Sequence, residues 1–346
     1  MLARRAMEPG LVFDLLQWVT YIGMGAFCLL FVLMVIKDLG WLSYLATRRA
    51  TQKARSARAR QGGELADPAR RAFMTNTLNA SVVTAAAVGT KYGFYEARKL
   101  PAIVEVQIPI DGLDPRLDGF RIVQLSDIHV GPTIRGEMVR AIVEASNALA
   151  PDLIAITGDL VDGLVPSLWP EVAPIADLRA RHGVFFATGN HEYYWDALAW
   201  CKKLEANGLY VLNNAHRLIE HNGAGLLIAG CTDYSAGGHI KEHASDPQAA
   251  IAGAPEHNVS ILMAHQPRSI FAAVRAGFDL QISGHTHGGQ FWPWNHVVGL
   301  VHPFSVGLDR LEKTWIYVSR GTGYWGPPMR IGAPSEITRI TLKRAG

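Results

Sequence analysis

The alternation of apolar and polar positions divides the chain into three stretches. From Leu15 to Ile36, 22 consecutive residues carry no charge. As a helix rising 1.5 Å per residue they reach about 33 Å, enough to cross a hydrocarbon core of ~30 Å. Asp14 and the Lys37-Asp38 pair bound the run. Trp18, Tyr21 and Trp41 stand near its ends, where amphipathic rings suit a membrane interface. The run is too long for the apolar part of a cleaved signal peptide, and no small-residue cleavage site follows it. A transmembrane helix is therefore expected within residues 1–41.

Residues 42–100 read differently. Between Arg48 and Arg71 there are eight Lys/Arg (Arg48, Arg49, Lys53, Arg55, Arg58, Arg60, Arg70, Arg71) against Glu64 and Asp67. Basic residues beside a span stay cytoplasmic, and they suit anionic lipid head groups. Ala72–Thr90 follows: 19 uncharged residues, rich in Ala, Thr, Asn and Ser and only weakly apolar. As a helix it would reach about 28 Å, just enough to cross. Arg70-Arg71-Ala72-Phe73-Met74 has the form of a twin-arginine export signal, although it is internal. The expectation is a second, weakly apolar membrane-associated segment, crossing in one reading and surface-lying or re-entrant in the other. Crossing turns the rest of the chain toward the outer (periplasmic) face of a bacterial cell (inner) membrane, which is the preferred reading. Otherwise the rest faces the cytoplasm.

From about Pro101 short apolar runs alternate with helical patterns, the signature of an α/β domain over 101–346. Expected strands are Ile103–Val106, Phe120–Leu125, Leu153–Thr157, Gly183–Thr188, Leu226–Ala229, Ser260–Ala264, Leu280–Ser283, Thr314–Val318 and Ile337–Leu342. Expected helices are Glu137–Ala150, Trp195–Asn207 and Arg268–Ala276.

Composition sharpens this only in places. A hydrophobic fraction of 49% is concentrated in the apolar run, and a formal charge of +3 points to no acidic polymer, so no nucleic-acid partner is expected. Cys28, Cys201 and Cys231 are too scattered for a disulfide framework or a CxxC zinc site.

The chemistry lies at strand ends. Five expected strands run into polar clusters: Ser126-Asp127-Ile128-His129, Gly158-Asp159, Gly189-Asn190-His191-Glu192, His265, and Gly284-His285-Thr286-His287. In open α/β sheets ligands bind beyond the carboxyl ends of the strands. Leaving His191 aside, the set of Asp127, Asp159, Asn190 and His129, His265, His285, His287 is too oxygen-poor for calcium and lacks thiolate for structural zinc. Mixed carboxylate and imidazole suits Mn, Fe or Zn. Seven ligands exceed one open catalytic ion and suit two ions if one carboxylate bridges. Two dications against two aspartates and one hydroxide leave the centre positive, which favours an anionic substrate such as a phosphoester.

In order and spacing, Asp127-x-His129, Gly158-Asp159, Gly189-Asn190-His191-Glu192, His265 and Gly284-His285-x-His287 resemble the calcineurin-like metallophosphoesterase superfamily over about residues 119–342. GHTHGGQ followed by Gly321-Thr322-Gly323-Tyr324-Trp325-Gly326-Pro327-Pro328-Met329-Arg330 is similar to its membrane-associated bacterial branch of phosphodiesterases and UDP-2,3-diacylglucosamine pyrophosphatases. The resemblance implies a four-layer α/β/β/α sandwich and two divalent ions, Mn favoured, with a metal-bridging hydroxide as nucleophile. It implies one ion on Asp127, His129, Asp159 and His287, and a second on Asp159, Asn190, His265 and His285. His191 would contact the phosphate or protonate the leaving oxygen. Glu192, where many relatives have Asp, would support the ligands rather than join them.

Arg320 and Arg330 are candidates for holding a substrate phosphate bidentately, with surface ion pairing as the alternative. The segment Phe291-Trp292-Pro293-Trp294, with Val297, Val298, Leu300, Val301 and Phe304, is unusually apolar beside a metal site. It reads either as packing or as contact with lipid, and so with a lipid-linked substrate. The expected function is a membrane-anchored phosphodiesterase or pyrophosphatase. A UDP-2,3-diacylglucosamine diphosphatase and a non-catalytic membrane interaction module are the alternatives. A metallo-β-lactamase-type site is excluded, because it needs HxHxDH and His287 is followed by Gly288-Gly289-Gln290.

Overall fold

The computed structural model describes residues 11–56 and 68–345. Arg58, Arg60, Glu64 and Asp67 of the basic stretch lie outside the described residues. Two long helices come first: α1 (Leu11–Ser56) and α2 (Pro68–Arg98). Twelve strands follow in two six-stranded sheets, ordered β1-β12-β2-β3-β4-β5 and β10-β11-β9-β8-β7-β6. In the first, β1 (Ala102–Ile110), β2 (Arg121–Leu125), β3 (Leu153–Thr157), β4 (Val184–Ala187) and β5 (Tyr210–Val211) join β12 (Glu336–Arg344). The second holds β6 (Ala215–His221), β7 (Ala224–Gly230), β8 (Val259–Met263), β9 (Leu280–Ser283), β10 (Gly307–Leu311) and β11 (Thr314–Val318).

The central strands β2, β3 and β4, and likewise β7, β8 and β9, pair in parallel. Both faces of such strands are covered, so they read as continuous apolar runs. Successive side chains point to opposite faces. Ile122, Leu153 and Phe185 enter the layer between the sheets, where they meet Leu226, Ile261 and Ile282. Their neighbours Val123, Ile154 and Phe186 face outward. There they pack on α3 (Gly136–Ala148), α4 (Val165–Val172) and, past the short α5 (Asn190–Trp195), α6 (Ala197–Glu205). The far side of the second sheet packs on α7 (Pro247–Ile251) and α8 (Ile270–Ala276) through Ala250, Ile270 and Ala273. The result is the expected α/β/β/α order of layers.

Three features bear on these expectations. The helix read as Trp195–Asn207 is broken at Asp196, whose φ of 88° ends α5 and whose carboxylate caps α6. The apolar stretch after Phe291 forms a helix, α9 (Trp294–Val301). Ala72–Thr90 lies within the 31-residue α2, but among the described residues α1 alone is long and apolar enough to cross a membrane.

The helices run antiparallel: Trp18 meets Phe94, Gly89 lies under Leu29, and Lys37 donates to Asn79 at 2.9 Å. The pair lies along the sandwich. Asp14 pairs with Arg135 at 3.1 Å, Arg98 donates to the Thr133 carbonyl at 2.6 Å, and Leu29 and Ala86 pack with Phe291 and Met329. Close approach depends on missing side chains. A Cβ on Gly93 would come within 2.9 Å of Ile331, and one on Gly25 would strike the Met329 sulfur. The opposite side of α1 exposes Leu15, Val19, Phe27, Phe31 and Val35. Only 11% of its apolar window is buried.

Candidate metal centre

The five polar clusters converge where β2, β3, β4, β8 and β9 end. Asp127, His129, Asp159, Asn190, His265 and His287 are buried, and His285 is half-buried. Three trios bring ligand atoms within 4.8 Å of one another: Asp127, His129 and His287; His129, Asp159 and His191; and Asp159, His265 and His285. Asp159 therefore stands at the junction of two clusters. One flank has the Nε2 atoms of His129 and His287 facing each other at 3.1 Å. On the other, His265 Nε2 lies 3.1 Å from Asp159 Oδ2.

The backbone is held in a costly shape to achieve this. Among the described residues, Asp127, His129, Asp159, His285 and His287 all have φ between 51° and 73°. Non-glycine residues there cost about 1–3 kcal/mol each, and such strain persists where surrounding structure fixes it. Here the fixing is visible. The Asp127 carboxylate accepts the His285 N–H at 3.0 Å and the Ser126 hydroxyl at 2.6 Å. The Asp159 carboxylate accepts the His191 N–H at 2.9 Å. Glu192 accepts the N–H groups of Gly189 at 2.6 Å, Leu160 at 2.8 Å and Asp159 at 3.0 Å, tying two ligand loops together. A Cβ on Gly284 would run into the Ser126 hydroxyl and the Asp127 carboxylate, so this position needs glycine for close approach.

The donor set fits divalent ions. His265 donates from Nδ1 to the Thr157 carbonyl at 2.8 Å, which turns Nε2 toward Asp159; against burial, Asp159 raises it well above 6.5, so a cation bound here would take the place of a proton. Asn190 Oδ1 is buried without a hydrogen-bond partner. Burying an unmet polar atom costs about 1–3 kcal/mol, and coordination to a cation removes that cost. Burial, and after it the His265 imidazolium, push His285 down to about 4, which favours the neutral imidazole that a metal ligand needs.

His191 belongs to a different arrangement. Its Nδ1 lies 2.5 Å from Asp162 Oδ1, and its Nε2 lies 3.9 Å from Asp159 Oδ2. Burial works against its charged form. Asp159 and Asp162 outweigh burial and raise it to about 9. Its ring packs against Tyr194 at 5.0 Å and the half-exposed ring of Trp325 at 5.7 Å. Asp162 escapes the sequence reading. Its Oδ2 also lies 3.3 Å from His129 Nδ1, so it orients two of the site's rings. Its only signal is its place three residues after Asp159.

The two arginines are placed differently. Arg330 is 1% exposed. Its guanidinium donates to the carbonyls of Gly323, His287 and Ala333 and lies 3.1 Å from His287 Nδ1, so it stands behind His287 as a support, not free to grip a substrate. Arg320 is more open, with one Nη 3.1 Å from Glu336 Oε2. Gln290 latches the second glycine-rich loop: it accepts the Trp325 N–H at 2.9 Å and donates to the Pro327 carbonyl at 3.1 Å.

Known proteins bear on this site. The model of the calcineurin-like phosphoesterase family matches residues 120–289. The chain is 40% identical to a zebrafish (Danio rerio) transmembrane protein with metallophosphoesterase domain, over 78% of this chain and 63% of that protein. It is 39% identical to the bovine (Bos taurus) protein of the same name, over 73% of this chain and 60% of the relative. It thus spans less than two thirds of the length of these relatives. With the Bacillus subtilis metallophosphoesterase YkuE the identity is 31%, over 79% of this chain and 97% of the relative. The chain belongs to the calcineurin-like phosphoesterase family.

Proposed function

We propose that the chain is a membrane-associated, metal-dependent hydrolase that cleaves a phosphodiester or diphosphate presented at a membrane surface. The observation that carries this is the placement of the Asp159 carboxylate between the His129 and His265/His285 clusters. Asp127, His129, Asp159 and His287 would hold one ion, and Asp159, Asn190, His265 and His285 the other. Two divalent ions, when bound, supply charge neutralisation at the phosphate and acidify water to give the nucleophile. His191, held by Asp162, donates the proton to the departing oxygen, a role worth about 10²–10⁴-fold. Arg320 lies at the edge of the centre with one face toward Glu336, and we assign it to the substrate phosphate.

Retention of every ligand together with His191 favours an enzyme over a non-catalytic module. The exposed apolar side of α1 supports membrane association. The antiparallel return of α2 brings Arg48, Arg49, Arg70 and Arg71 to the end of the pair away from Arg98. Basic residues stay cytoplasmic, so a crossing α2 would put the centre on the outer face of a bacterial inner membrane, and a pair lying in the interface would leave it on the cytoplasmic face. A reporter fused after Arg98 tests this: activity of a cytoplasmic-only reporter refutes the outward reading.

The chemistry is tested with the purified full chain and Mn²⁺ on a phosphomonoester, a phosphodiester and a lipid-linked diphosphate. Hydrolysis of one of the last two, abolished by chelator and in Asp159→Ala, is expected. Undiminished activity in Asp159→Ala refutes the bridging role.

A further inference from the structure

The 16 residues 291–306 contain no Lys, Arg, Asp or Glu, although they border a centre built to attract anions. Their middle is α9, WNHVVGLV. Its inner side is committed. A Cβ on Gly289 would come within 2.5 Å of Asn295, so the helix start rests directly on the turn after His287. The Thr286 hydroxyl donates to the Ser305 carbonyl at 2.6 Å, and His302 lies edge-on to His285 at 5.4 Å. The outer side is bare: Leu300 is 85% exposed and Val301 63%, with Trp294, Val297 and Val306 beside them. Contiguous exposed apolar groups of this kind mark an interaction surface.

What covers that surface follows from its continuity with α1. Phe291 and Trp292, immediately before α9, pack with Leu29, Leu30 and Leu33 of the apolar run and with Ala86 of α2. The helix therefore begins level with the part of α1 made for lipid. The sandwich lies against the pair from Asp14 to Leu33, which suits a pair lying along the membrane interface, and this level is then the head-group boundary. Trp294 at the helix start is the residue type that settles at the head-group boundary, and an uncharged apolar helix face suits insertion beside it.

We propose that α9 is a membrane-docking helix that seats in the lipid interface and fixes the mouth of the metal centre at head-group depth. This rests on the proposed hydrolase reading only for its consequence, that the substrate phosphate is met in the membrane. The docking itself stands on the geometry of α9.

The test uses the full chain in nanodiscs of phosphatidylethanolamine and phosphatidylglycerol. A nitroxide is placed at Leu300→Cys in a Cys28→Ser background, since Cys201 and Cys231 are buried. A control label sits at Asp309→Cys, on exposed β10. Position 300 should collide with lipid-soluble oxygen in preference to a water-soluble nickel complex, and position 309 should show the reverse. Equal access of nickel to both positions overturns the proposal. In parallel, Leu300→Asp/Val301→Asp should lower turnover of a phosphodiester dispersed in vesicles by about tenfold or more, because the inserting surface is lost. Turnover of a water-soluble phosphodiester should not change. Equal loss on both substrates, or on neither, also counts against docking. Failure of the unmutated chain on every ester refutes the hydrolase reading and leaves the label result to decide docking by itself.

Discussion

Asp162→Asn isolates how His191 is tuned. The two groups meet at 2.5 Å within a largely buried site, and Asp162 also faces His129. Against the cost of burial, Asp159, Asp162 and Glu192 raise His191 from 6.5 to about 9. At about 1.4 kcal/mol per pH unit, the net preference for the imidazolium is roughly 3 kcal/mol. A hydrogen bond to a charged group is worth ~1.5 kcal/mol at the low end of its range, which is roughly one pH unit, so removing Asp162 should lower the imidazolium's pKa by about that much. Bound dications lower the starting value in both proteins, because they repel the imidazolium, but the difference remains. The assay is kcat against pH at saturating Mn²⁺, which offsets the weaker metal binding expected from a disturbed His129. With an alkyl phosphodiester, whose leaving oxygen needs a proton, the alkaline limb should move about one pH unit lower and kcat above it should fall about tenfold. With a p-nitrophenyl diester, whose leaving group departs without help, kcat should change little. An unmoved alkaline limb, or equal losses on both substrates, refutes the assignment of His191 as an acid held by Asp162.

Three further outcomes follow from the same geometry. Glu192→Gln turns one of two accepting oxygens into a donor facing backbone N–H groups; it should cost about 1–3 kcal/mol in urea unfolding and loosen metal retention on dialysis, whereas unchanged stability would show those bonds to be idle. Gly284→Ala places a methyl group against Asp127; a loss of about 1–3 kcal/mol, with less than two ions retained in metal analysis, is expected. His182 and His221 are linked ring to ring at 3.0 Å, and both are lowered below 6.5 chiefly by burial. Below pH 6.5 the unfolded chain therefore binds more protons than the folded one, so stability should fall as pH drops from 7 toward 5. His221→Gln should flatten that slope in thermal melts, and an unaltered slope would assign it elsewhere.

How far the sequence speaks depends on what sets each feature. The interior strands β3 and β11 are legible to the residue because they are written as nearly unbroken apolar runs, and β9, LQIS, because Gly284 and the histidines mark its end. The strands β6 and β10, AHRLIEH and GLDRL, are not. Each is held by one neighbour, and much of each is polar and exposed, so its pairing decides its conformation more than its own pattern does. The metal-site residues are legible because they follow those interior strands in compact blocks. Asp162 is not, since its importance comes from where His191 and His129 are brought by other loops. Arg330 is invisible for the opposite reason: a guanidinium looks like a phosphate grip until its donors are seen spent on three carbonyls. The placement of α1 and α2 along the sandwich leaves only small-residue traces, such as Gly25 and Gly93, that acquire meaning once Met329 and Ile331 are seen against them.

That placement has a kinetic consequence. Because the pair is joined to the sandwich from Asp14 to Leu33, and not through a slack tether, the distance between the metal centre and the apolar side of α1 is fixed. If α1 seats in lipid as proposed, a hydrolase built this way searches a plane. For a lipid-borne substrate its rate should track the mole fraction of substrate in the bilayer, and diluting vesicles of constant composition should leave the turnover of each bound molecule unchanged. The height of the bond above the surface then acts as a specificity determinant of its own: phosphates a few ångströms too deep or too far out are out of reach, whatever their chemistry.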